Sequence, residues 1–139
     1  MNNNSRAFDS ILDAIGSTPM VKLNRITGAL NIDPKHAVYA KIEFLNPMGS
    51  IKDRIAKYMI EKAEQEGKLK PGQTIIENSS GNTALGLALI AIQKGYKLKI
   101  VVRDTMSRDK VNKLRSLNVD IHFVDTSLRP EHPDSYNNI

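Results

Sequence analysis

Strand-like and helix-like segments alternate along most of this chain, and their order restricts the fold more than any other feature. Four segments have the short apolar or period-two pattern of β-strands: Val38–Ile42, Thr74–Glu77, Leu98–Val102 and Val119–Val124. Three segments with helical spacing begin at Ser50, Asn82 and Ser107. Because neighbouring parallel strands need crossover connections, this order predicts an α/β fold, a parallel four-stranded sheet flanked by helices.

The pattern divides the chain into three parts. Residues 1–36 are expected to form an N-terminal arm, in which Ile11–Ile15 is amphipathic and Met20–Leu23 is extended. Residues 37–124 are expected to form a small α/β domain. Residues 125–139 form a polar tail without a core pattern, typical of a loop that leads into a further element.

One helical segment, Ala84–Ile92, is apolar on every side. Such a helix needs cover on its outward side as well as on the side that faces the sheet. We therefore expect residues beyond this chain to cover it. For the chain alone we expect this helix to present a hydrophobic face, which would become buried either by self-association or by those further residues.

The composition narrows the classes of protein to consider. The 139 residues are 40% hydrophobic and 25% charged, as in globular domains, and the longest apolar run, Leu87–Ile92, is too short to cross a bilayer. No secretory signal is visible, and the absence of cysteine fits a cytoplasmic location. The net charge of +5 comes from scattered cations, with only four tyrosines and three phenylalanines, so we expect neither a nucleic-acid nor a membrane partner.

A first candidate site lies in the loop and helix start at Asn46–Arg54. If Ser50 caps the helix and Asp53 completes a capping box, Lys52 lies in the first turn. The helix dipole opposes a positive charge there and favours the neutral amine, the form that attacks a carbonyl carbon. The alternative is a solvated surface lysine whose charge is balanced by Asp53, and the local pattern leaves both open.

A second candidate site lies at Glu77–Thr83, where a strand, a small polar loop and a helix start follow one another. Backbone N–H groups at such a start can bind an anion, and Gly81 lets a ligand approach the backbone closely. Open α/β sheets bind ligands at this end of their strands. The alternative is plain capping, in which Ser80 or Asn82 satisfies the helix and nothing binds.

Together the two loops resemble a known family. The matching residues are Asn46-Pro47-x-Gly49-Ser50-x-Lys52-Asp53-Arg54 and Glu77-x-Ser79-Ser80-Gly81-Asn82-Thr83. In this order they resemble the cysteine synthase and cystathionine β-synthase family, pyridoxal-phosphate enzymes of the tryptophan-synthase β-subunit type. Ile15–Leu23 and Arg103–Ser107 resemble further stretches of the family, so the similarity extends from about Ile11 to Val124.

The resemblance implies a role for each of these residues. Lys52 would hold pyridoxal phosphate covalently and move the α-proton of the substrate, and Asn82 would hydrogen-bond the cofactor's ring hydroxyl. The loop that grips the carboxylate of a small amino-acid substrate would consist of Ser79, Ser80, Gly81 and Thr83. The implied reaction is β-replacement, in which an O-activated serine reacts with sulfide or another nucleophile, in a homodimer. No metal site is expected, and the histidines match no role.

The chain also departs from the family pattern. Ser79 stands where the family usually has threonine, and Ala84 where it usually has glycine, one methyl more near the ligand. The glycine-rich cradle for the cofactor phosphate and the hydroxyl residue that faces the pyridine nitrogen lie further along family chains. We therefore expect an N-terminal portion that is inactive alone, with an arm that belongs to a larger domain.

Two other functions stay open at this point. One is a serine or threonine dehydratase-like or diaminopropionate-forming relative. The other is a truncated, non-catalytic homologue that binds a partner.

Overall fold

The computed structural model describes residues 7–33, 35–135 and 138. Within them the strands are β1 (Met20–Lys22), β2 (Tyr39–Lys41), β3 (Thr74–Asn78), β4 (Lys97–Arg103) and β5 (Asp120–Val124). The α-helices are α1 (Asn24–Ala29), α2 (Lys52–Gln65), α3 (Asn82–Lys94) and α4 (Arg108–Ser116). Short 3-10 helices span Ile11–Ala14 and Glu43–Leu45.

The central sheet is parallel, with strand order β3-β4-β5. Ile75 lies opposite Leu98, and Ile100 opposite Ile121. Strand β4 is in the middle, and its continuous apolar run is buried because both of its edges are paired and helices cover it. The three predicted strands of this sheet and the helices predicted near Ser50, Asn82 and Ser107 are confirmed, with ends shifted by up to two residues.

The fourth predicted strand of the parallel sheet is not confirmed. Within Val38–Ile42, β2 pairs antiparallel with β1 in a separate two-stranded sheet, where Val21 lies opposite Ala40. The period-two pattern correctly indicated an extended segment, but such a pattern does not encode the partner. In β2 only Ala40 is half-buried and both neighbours are exposed, so the alternating pattern of this strand does not reflect a face that packs on the core.

Helix α3 is covered by this chain, which corrects the expectation of cover from further residues. All residues from Ala84 to Ala91 are buried. The helix contacts α2 and α4 as well as β3 and β4, so its outward side has packing partners too. Its Leu87 and Ile90 share one core cluster with Ile100 and Leu114.

Exposed apolar side chains do occur, but in other places than the sequence indicated. On α2, Ile55, Tyr58 and Met59 are 41%, 67% and 43% exposed. In the N-terminal part of the chain, Met20 and Phe44 are also largely exposed. None of the helices in the described part of the chain combines the length and apolar character needed to cross a membrane.

Candidate active site

Helices α2 and α3 lie side by side and run in the same direction. Near their starts, a Cβ placed on Gly86 would be 3.1 Å from the backbone oxygen of Lys52. Near their ends, Glu64 accepts hydrogen bonds from Lys94 Nζ and from the Tyr96 hydroxyl, both at 2.8 Å. Early residues contact early residues and late residues contact late ones, so the helices are parallel. Both N-termini therefore lie at the edge of the sheet where β3 ends.

Lys52 is the first residue of α2. Its backbone N–H donates to Ser50 Oγ at 3.1 Å, but the N-cap residue is Ile51, so Ser50 contacts the helix start without being the predicted cap. The side chain of Lys52 is exposed, and its amine has neither a hydrogen bond nor an ion pair with any described residue. The structure thus leaves this amine available for chemistry.

Asp53 does not form the predicted capping box, nor does it pair with Lys52. Its side chain is fully buried, and Oδ2 accepts the backbone N–H of Met48 at 2.6 Å. Burial raises the pKa of Asp53, against the opposing effect of that N–H. The other oxygen, Oδ1, has no partner among the described residues. Asp53 therefore fastens the loop before α2 and does not balance the charge of Lys52.

The loop at Ser79–Thr83 leaves its polar groups uncommitted. The N-cap of α3 is Gly81, and no side chain caps the helix. Ser79 Oγ accepts the N–H of Gly81 at 3.4 Å, but Ser80, Asn82 and Thr83 make no side-chain hydrogen bond within the described part of the chain. The capping by Ser80 or Asn82 that the alternative required is therefore not found. The first N–H groups of α3 stay available to an anion.

Gly81 faces open space. Its φ of −118° and ψ of −155° are extended, so the backbone there does not demand glycine. A Cβ added to Gly81 would meet no heavy atom within 4 Å. Neither conformation nor packing thus explains the glycine, whereas the close approach of an anionic group to these N–H groups would.

The surroundings of this loop are basic. Ser80 lines a cleft of about 230 Å³, whose other lining residues are Arg103, Thr105, Met106, Ser107 and Lys110. Glu77, at the end of β3, is half-buried, and burial raises its pKa. Ala84 directly follows this loop, and its side chain is fully buried in the core cluster.

A polar network fixes the segment before α2, and sequence reasoning assigned it no role. Arg54 binds Glu43 through both oxygens, with Nε–Oε2 at 2.7 Å and Nη2–Oε1 at 3.0 Å. Thr18 donates to Glu43 Oε1 at 2.6 Å, and Asn46 donates to Oε2 at 2.8 Å. The guanidinium of Arg54, and next the hydroxyl of Thr18, hold the pKa of Glu43 far below its usual range. Thr18, Asn46 and Arg54 all lie in the stretches that resemble the family, and this was the one sequence signal that could have identified them as important.

The structure thus brings Lys52 and the loop Ser79–Thr83 to one edge of the sheet, beside a basic cleft. An exposed amine, uncapped N–H groups and free hydroxyls are suited to a carbonyl compound that carries acidic groups. No group of three or more potential metal ligands occurs among the described residues.

Comparisons with known proteins place these features in a family. The family of pyridoxal-phosphate dependent enzymes matches residues 11–138. Cystathionine beta-synthase of Rattus norvegicus is 51% identical over 131 residues, which is 94% of this chain and 23% of the relative. Cysteine synthase of Staphylococcus aureus is 48% identical over 116 residues, which is 84% of this chain and 36% of the relative.

A solved structure agrees with the sequence relatives. The crystal structure of cysteine synthase from Entamoeba histolytica superposes with a TM-score of 0.85 at 31% identity, covering 91% of this chain and 38% of that one. This chain thus spans well under half the length of each of these three relatives. The family match nevertheless covers most of its residues, and the chain belongs to the pyridoxal-phosphate dependent enzyme family, alongside cystathionine beta-synthases and cysteine synthases.

Proposed function

We propose that the full-length protein catalyses β-replacement on an O-activated serine, with sulfide or another nucleophile. The C–O bond at the β-carbon breaks and a bond to the nucleophile forms, without net oxidation. The activities named for its relatives support this proposal. Pyridoxal phosphate, when bound, supplies an electron sink for negative charge at the α-carbon.

In this proposal Lys52 holds the cofactor and moves the proton at the α-carbon of the substrate. The observation that carries it is that the backbone of Lys52, whose amine is exposed and unpaired, lies against α3 about one turn from the uncapped start of that helix. A covalent site needs a reachable nucleophile, and a proton carrier needs freedom from a competing carboxylate. Asp53, the nearest carboxylate in sequence, is committed to Met48.

The loop before α3 binds the substrate. The backbone N–H groups and the hydroxyls of Ser79, Ser80 and Thr83 bind the carboxylate, and Gly81 gives it room to approach. Asn82, whose amide has no partner among the described residues, hydrogen-bonds the ring hydroxyl of the cofactor. Arg103 and Lys110 add positive potential that favours the carboxylate of the substrate.

The wider setting is proposed on the same basis. The protein acts as a cytoplasmic homodimer on a small amino acid, with residues 37–124 as its small domain and the arm as part of a larger one. Exposed apolar side chains on α2 and in the N-terminal part support association, since an isolated surface rarely leaves so many uncovered.

Replacing Lys52 by alanine tests the covalent role. In the full-length protein, Lys52→Ala should abolish turnover and the covalent link that borohydride fixes at this position in the wild type. Alanine at a first-turn position costs no helix propensity, so the unfolding free energy should change by less than about 0.5 kcal/mol. Lys62→Ala, on the exposed surface of α2, is the matched control and should retain both properties.

Two results would contradict this assignment. One is a wild-type protein in which peptide mapping after reduction finds no cofactor at Lys52. The other is release of a 2-oxo acid and ammonia from serine or threonine without any replacement product, which would favour a dehydratase.

Replacing Gly81 by alanine tests the carboxylate loop. The added methyl group meets nothing in the protein, so thermal stability should stay close to that of the wild type. It should occupy space that the substrate carboxylate needs, and KM should rise on the order of tenfold or more, with the cofactor still bound. An unchanged KM would remove Gly81 from the substrate site.

A further inference from the structure

Gly86 lies where α3 approaches the first turn of α2 most closely. A Cβ on Gly86 would be 3.1 Å from the backbone oxygen of Lys52, 3.2 Å from its carbonyl carbon and 3.2 Å from Ala56 Cβ. Two of these three atoms are backbone, which cannot swing aside as the end of a flexible side chain does. A side chain at position 86 therefore fits only if these neighbours move by a few tenths of an ångström, which is why glycine suits the close approach of the two helices.

At this contact the first residue of α2 is more exposed than α3, although Ala56 on the same side of α2 is fully buried. Around Gly86 the residues Ala84–Ala91 are all buried, so α3 cannot shift without disturbing the core. In α2, Lys52 and the preceding Ile51 are exposed. A methyl group at position 86 would therefore push mainly on the backbone of Lys52.

From this contact we propose that Gly86 is a positioning residue, which sets the distance between Lys52 and the loop before α3. The inference rests on the proposed role of Lys52. Gly86 lies four residues after Asn82, about one helical turn from the proposed substrate loop. The same rigid helix thus carries the loop and the surface against which Lys52 rests. Reacting groups lose much of their rate when misplaced by a fraction of an ångström to an ångström.

The test compares three forms of the full-length protein with the wild type. Gly86→Ala adds the methyl group. The double variant Ala56→Gly/Gly86→Ala moves the methyl group from one helix to the other, which removes the Cβ–Cβ contact but keeps the contact with the carbonyl of Lys52. Since glycine and alanine are exchanged, the change in helix propensity cancels to first order. Gly28→Ala, at a helical glycine with no atom within 4 Å, is the control.

Two quantities are measured for each form: the thermal unfolding midpoint without cofactor, and the rate at which added pyridoxal phosphate becomes fixed by borohydride at Lys52. For Gly86→Ala we expect attachment on the order of tenfold slower and a fall in kcat that exceeds any change in KM. The double variant should regain the part of the thermal stability that the Cβ–Cβ contact cost, and it should still attach the cofactor slowly because the contacts with the carbonyl of Lys52 remain. Gly28→Ala should attach it at the wild-type rate.

The outcomes separate this inference from the proposed function. If the double variant restores both stability and attachment rate, Gly86 serves helix packing alone and the inference is wrong. Wild-type attachment in Gly86→Ala would overturn it as well. If Gly86→Ala does not fold, the double variant carries the same comparison. A wild type with no cofactor at Lys52 overturns the proposed function, and the inference with it.

Discussion

The N-terminal region (residues 7–33 and 35–46) and the α/β unit (residues 52–124) are stabilised by different forces. Among the described residues, every buried apolar side chain lies between Ala56 and Val124. In the N-terminal region the buried side chains are polar, those of Thr18 and Asn46. The α/β unit therefore depends on the removal of apolar surface from water, whereas the N-terminal region depends on charge-assisted hydrogen bonds around Glu43.

This difference has a consequence for the candidate site. Lys52 lies where the two regions meet, with α3 on one side and the segment fixed by the Arg54–Glu43 pair before it. The backbone of Lys52 is thus held in place by the contact with α3 and by the hydrogen-bonded group of Thr18, Glu43, Asn46 and Arg54. We call this group the polar anchor, and its strength depends on pH because Glu43 can be protonated. A substitution in the α/β unit should lower the stability of the whole fold, whereas a substitution in the polar anchor should reduce hydrogen-exchange protection mainly in the N-terminal region.

The largest expected effect is loss of core packing in the α/β unit. Leu87→Ala, at a residue that is 2% exposed, should lower the free energy of unfolding by about 2–5 kcal/mol, because it leaves a cavity under α3. Ile92→Ala on the same helix, at a residue that is 46% exposed, should cost less than about 1 kcal/mol. Urea unfolding measures both. Equal losses would mean that burial along α3 does not dominate the stability of this unit.

A smaller, local effect is expected when the polar anchor is titrated. Because Arg54 and Thr18 hold the pKa of Glu43 below its ordinary 4.5, the stability that Glu43 contributes is present above about pH 4.5 and is lost as the pH falls below it. Hydrogen-exchange protection should then fall for the N–H of Gly16, which donates to Asn46 Oδ1 at 2.9 Å, before it falls in α3. Glu43→Gln should show low protection already at neutral pH and little further dependence on acid.

The matched control for this titration is at the far end of α2. The pKa of Glu64 is also lowered, first by its hydrogen bond from Lys94. Glu64→Gln should therefore change the acid response of the contact between α2 and α3 while that of Gly16 stays as in the wild type. If Glu43→Gln retained the acid dependence at Gly16, the polar network would not be what anchors the N-terminal region.

The α/β unit could be predicted from the sequence because burial imposes a period. Three strands and three helices were found, since apolar residues recur at spacing two or 3.6 when one face is covered. The same reasoning erred on the outward side of α3, where it expected cover from further residues. Periodicity indicates that a face is buried, but it does not name the element that buries it.

The N-terminal region could be predicted only in part. Its strands were recognised as extended, but the pairing of β1 with β2 is set by hydrogen bonds at the ends, such as Ile42 N–H to Pro19 C=O at 2.9 Å, which leave no periodic mark. Thr18 and Arg54 lie 36 positions apart, so no local pattern relates them. The division at residues 36 and 124, and the roles of Lys52, Asn82 and the loop, remain predictions.

The parallel arrangement of α2 and α3 has a consequence for the proposed site, because it would couple the protein's stability to an anion bound there. Two macrodipoles that point the same way, side by side, repel each other, and the exposed ammonium group of Lys52 adds to the positive potential at their shared end. An anion bound between the two N-termini relieves this repulsion. If the proposed substrate binds there, it should strengthen the contact between the two helices, and saturating amounts should raise the melting temperature of the protein as a whole.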